Sequence, residues 1–368
     1  MLFPIQSLGE PAVIGSVKLQ SIIDIIGQLR GVVIHTFFLD YFEYTTDHVM
    51  MNDVIRLKPL YKERVWGGRK LESIFHRQLP TGVDLVGESW DIVDREESQS
   101  IVSDGELKGK TLNELWLDYK ESIFGPNLPE EGRFPVLIKI LDARKKLSLQ
   151  VHPPENIASE IGADPKTEMW YIAEADPGAE IYCGFKDKIT SVEFIEKING
   201  GLADDLLHKI AVAKGDFIFI PSGRLHAIGG GIVIFEIQQN SDTTYRVHDW
   251  GRTGLDGNPR KLHIDEAIRS IDFKDIQPSK GRAENNFLVR CPYFEVEQVD
   301  LLAMEPVNAT VNSNFAIISV IEGALSCGRS NFMSGDSFIV PAQIGAEPLQ
   351  LACHVPTRIL RTTIPKKH

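Results

Sequence analysis

Between residues 147 and 240 the chain repeats one pattern, short β-prone runs divided by Gly and Pro turns: LSLQVH, EMWYIAEA, EIYCGF, KIAVAKGDFIFI and GIVIFEIQ. That spacing is the signature of an antiparallel barrel or sandwich, interrupted here by one helix expected around residues 191–198. Upstream, GESWDIV and QSIVSDG read as strands, and TLNELWLDYKESIFG reads as an amphipathic helix with Leu112, Leu115, Trp116 and Tyr119 on one side. Downstream, HIDEAIRSI predicts a helix, QPSKGRAENN a polar connector, and residues 287–368 a second set of short strands. The expected fold is mainly β: a barrel with added helices over residues 51–280, followed by a small C-terminal β domain over 285–368.

Residues 1–50 read differently. They carry the apolar patch SIIDIIGQLRGVVIHTFFLDYF, broken by Asp24, Arg30 and Asp40, and the β-rich pattern begins only at about Met51. We expect this segment to be an extension outside the main fold, with translation starting at the tandem Met50-Met51.

The net charge of −12 argues against general affinity for nucleic acid or for an anionic membrane, so an anionic small ligand needs a local basic pocket. No run of 18 apolar residues suggests a membrane span, and no basic leader precedes the first apolar stretch; the cytoplasm is the expected compartment. Cys183, Cys291, Cys327 and Cys353 are far apart and form no CxxC pair, so they are expected to be reduced and buried rather than metal-binding.

In KKLSLQVHPPEN, strand alternation sends Gln150 and His152 to the same face. On its own such a pair is as readily a polar patch facing solvent. Two further signals accompany it. Glu168 opens the strand EMWYIAEA, and KGDFIFIPSGRLHAIGGG places Gly215, Pro221, Gly223 and His226 at the spacing G-x5-P-x-G-x2-H, which resembles the second sequence motif of the cupin barrels. Gly215 turns into a strand, Pro221 and Gly223 shape a tight turn, and His226 begins the returning strand. Gln150, His152, Glu168 and His226 are therefore the candidate metal ligands. Two imidazoles, a carboxylate and an amide oxygen suit zinc and also admit manganese, cobalt or iron.

The chain is identified as a member of the type I mannose-6-phosphate isomerases (phosphomannose isomerases), short bacterial form, by several ordered motifs. These are LKPLYKERVWGGRKLESIF, GESWDI, LIKILDARKKLSLQVHPPEN, KTEMWYI, PGAEIYCGF, GDFIFIPSGRLHAI and FEIQQNSDTTYRVHDWGR, spread from about Met51 to Ile271. The resemblance implies a cupin-type β barrel, one zinc per chain, and interconversion of mannose 6-phosphate and fructose 6-phosphate. It places the zinc ligands on the same four residues.

The family's active-site arginine falls on Arg246 and its lysines on Lys139 and Lys166; charged donors of this kind suit a phosphate or a developing enediolate. Glu236 is expected to face inward, either as general acid/base or as a partner that holds a ligand. Ser148 is a candidate phosphate contact. The proton carrier is left open among Glu236, Lys166 and a water on the metal. Trp66, Glu88 and Trp90 agree with family motifs, the two aromatic residues as wall rather than catalyst. His248 departs from the tyrosine common in short-form relatives.

The expected partner is a sugar phosphate, not nucleic acid or membrane, and the expected assembly is a monomer or homodimer. Two rival readings are a non-catalytic sugar-phosphate sensor on the same barrel and an iron-dependent cupin oxygenase. Retention of all four ligands, Glu236 and Arg246 disfavours the first, and Gln150 among the ligands speaks against the second.

Overall fold

The structure is a computed structural model that describes residues 53–130, 132–311, 314–342 and 347–366. The expected extension at residues 1–50 lies outside them. The described chain is mainly β, and its centre is a pair of facing antiparallel sheets.

The barrel strands are β1 (Leu60–Gly68), β2 (Val86–Ile92), β3 (Val136–Ala143), β4 (Leu149–Val151), β5 (Glu168–Ala175), β6 (Glu180–Phe185), β7 (Leu207–Ala211), β8 (Phe217–Ile220), β9 (His226–Ile228), β10 (Ile232–Gln239) and β11 (Tyr245–His248). One sheet runs β8-β5-β10-β3-β2-β1 and the other β7-β6-β9-β4-β11.

The first sheet is covered on both faces, which explains why β3 reads VLIKILDA without alternation and is buried throughout. Val136, Ile138 and Ile140 face outward into a core shared with Leu112, Trp116, Phe124, Phe294 and Leu360. Leu141 and Ala143 face the second sheet with Trp170, Ile172, Ile181 and Ile234. The same parity directs Lys139, Glu168 and Glu236 into the barrel, and the registers Glu236↔Lys139 and Gln238↔Glu168 gather them toward one end. That end is polar and the other end is filled by isoleucine and leucine.

The helix expected near 191–198 spans Ser191–Asn199 and starts with a capping box between Thr190 and Glu193. The helix expected at 111–125 is Leu112–Asp118, capped by Thr111 and Glu114, and continues as a π-helical turn over Lys120–Phe124. Helix Ile264–Ser270 matches HIDEAIRSI. The stretch between His152 and Glu168, for which the sequence offers no element, carries the short helix Glu155–Ile161, closed by Gly162 in the left-handed region. Only Ala158 of this helix is buried, so its apolar periodicity was too weak to mark it.

Residues 287–363 form two further sheets around Phe338, Ile318, Leu351 and Ile359. The larger sheet takes one strand, Ile55–Arg56, from the start of the described chain, paired with Ser337–Val340. All four cysteines are free, and Cys291 is half-buried where burial was expected. No helix among the described residues is long and apolar enough to cross a membrane.

Candidate metal centre

Strand β4 is the axis of the site. Gln150 lies between His226 of β9 on one side and Arg246 of β11 on the other. Glu168 enters from the facing sheet at the first residue of β5, where it is anchored opposite Ile220 and Gln238. The sharp turn at Gly223, whose φ of 88° favours glycine, is tied down when its N–H donates to the His152 carbonyl at 2.9 Å.

His152, Glu168 and His226 are fully buried and present one ligand atom each within 4.8 Å of one another. His152 Nδ1 donates to the Thr243 carbonyl at 2.9 Å and His226 Nδ1 donates to the Arg224 carbonyl at 2.8 Å. A carbonyl only accepts, so both protons sit on Nδ1 and both Nε2 atoms carry bare lone pairs. His152 Nε2 lies 3.5 Å from Glu168 Oε2, and His226 Nε2 lies 3.5 Å from Glu168 Oε1.

Burial pushes both imidazoles below their ordinary range, His226 to about 3, which keeps them neutral. The Glu168 carboxyl is held well below its usual range because the Lys166 ammonium beside it outweighs its burial. Four acceptors thus point at one another. His152 Nε2 and both Glu168 oxygens have no hydrogen-bond partner, and orphaned buried acceptors of this kind call for a cation. Lys166 Nζ stands 2.9 Å from Glu168 Oε2, an ion pair without hydrogen-bond alignment.

Gln150 joins this cluster through its amide, whose Nε2 donates to the bare His226 Nε2 at 3.2 Å while its Oε1 accepts from Ser148 at 3.4 Å. Half a turn of the amide exchanges the two atoms and offers the oxygen to a cation. The four residues chosen by spacing therefore converge, three of them with their acceptors already inward. The donor set, without thiolate, fits a divalent ion such as zinc.

Above the cluster opens a cleft of about 550 Å³, lined by Ser148, Gln150, Lys139, Lys166, Glu236 and Arg246 among others. Glu236 Oε1 stands 3.6 Å from both Lys139 and Lys166, and its Oε2 accepts from the Trp170 indole at 3.1 Å. Burial, with Glu168 nearby, raises the Glu236 carboxyl above its ordinary range, while the Glu168 and Glu236 carboxylates outweigh burial and raise the Lys166 ammonium. Lys139 also lies over the Trp90 ring at 4.6 Å. Burial lowers the Arg246 guanidinium, with Arg260 and Arg252 adding repulsion; its Nη1 donates to the Lys261 carbonyl at 2.8 Å and its Nε is buried without a partner.

Glu88, a motif match without an assigned role, is held firmly in the cleft lining. Arg64 grips it in a fork of 2.9 and 3.1 Å and the Trp90 indole donates to it at 2.6 Å. His248, by contrast, packs edge-on against Trp250 and accepts from the Trp250 N–H at 3.2 Å, away from the cluster. Sequence reasoning missed Arg64, Arg260, Asp242 and the carbonyls of Thr243 and Arg224. Four of them act through contacts between distant parts of the chain, which leave no local spacing to read; the Arg224 carbonyl is only two residues from His226, but a backbone group carries no residue signal.

Residues 54–186 match the family described as phosphomannose isomerase type I, catalytic domain. Mannose-6-phosphate isomerase ManA of Bacillus subtilis is 37% identical over 318 residues, which span 82% of this chain and 97% of that protein. The crystal structure of the mannose 6-phosphate isomerase from Bacillus subtilis superposes with a TM-score of 0.75 at 34% identity, covering 85% of this chain and 100% of that one. A mannose 6-phosphate isomerase solved with zinc and yttrium bound shares the fold, with a TM-score of 0.65 at 17% identity over 85% of this chain and 99% of that one.

Proposed function

The chain belongs to the type I phosphomannose isomerases, and from that premise we propose that it interconverts mannose 6-phosphate and fructose 6-phosphate through an enediol. In this reading Gln150, His152, Glu168 and His226 hold one zinc ion. The observation that carries it is the convergence of neutral imidazole and carboxylate acceptors, buried and lacking protons between them.

The reaction moves a proton between adjacent carbons and leaves negative charge on the neighbouring oxygen. A bound metal supplies Lewis-acid stabilisation of that charge, worth several kcal/mol. Glu236 is the proton carrier: burial raises its carboxyl, it borders the cleft, and its Oε2 is fixed by Trp170. Lys166, whose ammonium is stabilised by Glu168 and Glu236, stays charged and serves as a donor rather than a base. Arg246, the strand neighbour of Gln150, offers an unpartnered Nε–H to oxygen as charge develops. Ser148 and Lys139 contact the substrate from the cleft floor.

The test is coupled conversion of mannose 6-phosphate to fructose 6-phosphate with and without a chelator. Full activity in protein shown to be metal-free would remove the metal from the reaction; no conversion by fully metal-loaded protein would remove the substrate assignment.

A further inference from the structure

The cations that border the cleft divide into those already matched by a carboxylate and those that are not. Arg64 spends its fork on Glu88. Lys139 lies within 3.6 Å of Glu236 and Asp242, and Lys166 lies 2.9 Å from Glu168. At the mouth the balance differs. Asp249, buried, is shared by two guanidiniums: Arg260 Nε donates to its Oδ2 at 2.7 Å and Arg260 Nη2 to its Oδ1, while Arg252 Nη2 donates to the same Oδ1 at 2.6 Å. Arg246 adds a third positive charge beside them. Three arginines against Asp249 and Asp256 leave an excess of one positive charge (3 − 2 = 1) at this corner. Asp256 is exposed and accepts from the Asn258 N–H at 3.0 Å, whereas Asp249 is tied to Arg252 and Arg260 themselves.

Arg260 borders the cleft, and its Nη1 has no hydrogen-bond partner among the described residues. The corner is also held rigidly relative to the metal strand. Trp250 and Gly251 both sit in the left-handed region, at φ 55° and 70°, in a turn closed when the Arg252 N–H donates to the Asp249 carbonyl at 3.0 Å. A tryptophan there is strained, and the surroundings fix it. Its indole N–H donates to the Leu147 carbonyl at 2.5 Å, the Lys146 ammonium lies 3.2 Å from its ring centre, and Arg252 Nη1 donates to the Lys146 carbonyl. Lys146 and Leu147 directly precede Ser148 and Gln150, so the turn is bolted to the strand that carries the ligands.

We propose that Arg260 binds the phosphate of the substrate, with Asp249 and Trp250 as positioning residues that set its distance from the metal. This rests on the isomerase reading. A dianionic group needs donors not already matched, and a guanidinium held by its other two nitrogens presents one with little loss of freedom.

The experiment is steady-state kinetics of the metal-loaded parent and Arg260→Gln, with inorganic phosphate as competitive inhibitor. Loss of binding felt equally by substrate and transition state raises KM by about 30-fold or more, leaves kcat within about threefold, and weakens phosphate inhibition by a similar factor. Asp249→Asn is expected to raise KM by roughly 3–10-fold with the metal retained, because the guanidinium loses its anchor. A KM and phosphate inhibition in Arg260→Gln within about twofold of the parent, or a loss confined to kcat, overturns the assignment. If Arg260→Gln does not fold, Arg260→Lys replaces it: a KM raised about fivefold or more supports the role, and one within about twofold refutes it. If the parent does not isomerise mannose 6-phosphate, the reaction has been misread. Calorimetric binding of inorganic phosphate then decides the present point, which stands if Arg260→Gln abolishes binding and falls if it does not.

Discussion

His226 Nε2 and Glu168 Oε1 face each other across 3.5 Å in a fully buried site, and both are acceptors. The imidazole proton is committed to the Arg224 carbonyl on the far side of the ring. Two lone pairs at that distance repel unless positive charge lies between them, and Lys166 reaches only the other carboxylate oxygen.

His226→Ala is therefore expected to leave little bound metal after dialysis. Losing an inner ligand weakens affinity by more than the roughly 10–100-fold typical of losing a supporting partner. Near-stoichiometric metal in the purified variant, measured by mass spectrometry of the elements, would show that the ligand set is wrong.

Arg246→Ala should reduce turnover by about two to three orders of magnitude, since removing one donor to developing charge in a dry site costs roughly 3–4 kcal/mol. Metal content and thermal midpoint should stay close to the parent, because the Arg246 side chain hydrogen-bonds the Lys261 carbonyl and none of the metal ligands. A variant within threefold of the parent rate would sink the role.

Glu88 makes a prediction about acid stability. Burial opposes its charge, but Arg64, Lys139 and the Trp90 indole prevail and hold it at about 2, against 4.5 in an unfolded chain. The unfolded state thus binds more protons, and the stability from this group is full above about pH 4.5 and is lost as pH falls toward about 2. Its full size is about 3 kcal/mol. Urea unfolding at several pH values between about 6 and 3 should show a shallower decline for Glu88→Gln than for the parent, from a lower starting stability. Parallel declines would refute the assignment.

A chain beginning at Met51 is expected to bind metal fully and keep the parent turnover, because the site and the sheets around it are built from residues after 53. Insolubility of the shortened chain, or a large drop in its thermal midpoint, would show that residues 1–50 belong to the fold.

Much of this architecture was legible because the relevant information is local. Alternation fixed Gln150 and His152 to one face, and a turn motif placed His226; both are properties of a few consecutive residues. β3 was harder: with a core on each side, its run of buried residues carries no period, and its two charged residues, Lys139 and Asp142, fall on opposite faces, so neither face reads as the polar one. Helix Glu155–Ile161 was invisible because it buries a single alanine. The arginine corner was hidden for another reason. Asp249 and Arg260 are separated by a turn and a small hairpin, and nothing in WGRTGLDGNPR distinguishes a guanidinium that lines a cleft from one in solvent.

The pairing of Ile55–Arg56 with Ser337–Val340 bears on how the chain is made. Translation delivers the first of these strands long before the second, by roughly a quarter of a minute to a minute at about 5–20 residues per second. During that interval the barrel strands and metal ligands are made in turn, while the earliest strand lacks its sheet neighbour and meets only the segment at residues 101–103 on its other edge. The order of synthesis and the order of assembly therefore differ: the segment made first among these sheets is one of the last to be paired, and the newborn protein carries an open strand edge until its C-terminal sheet arrives.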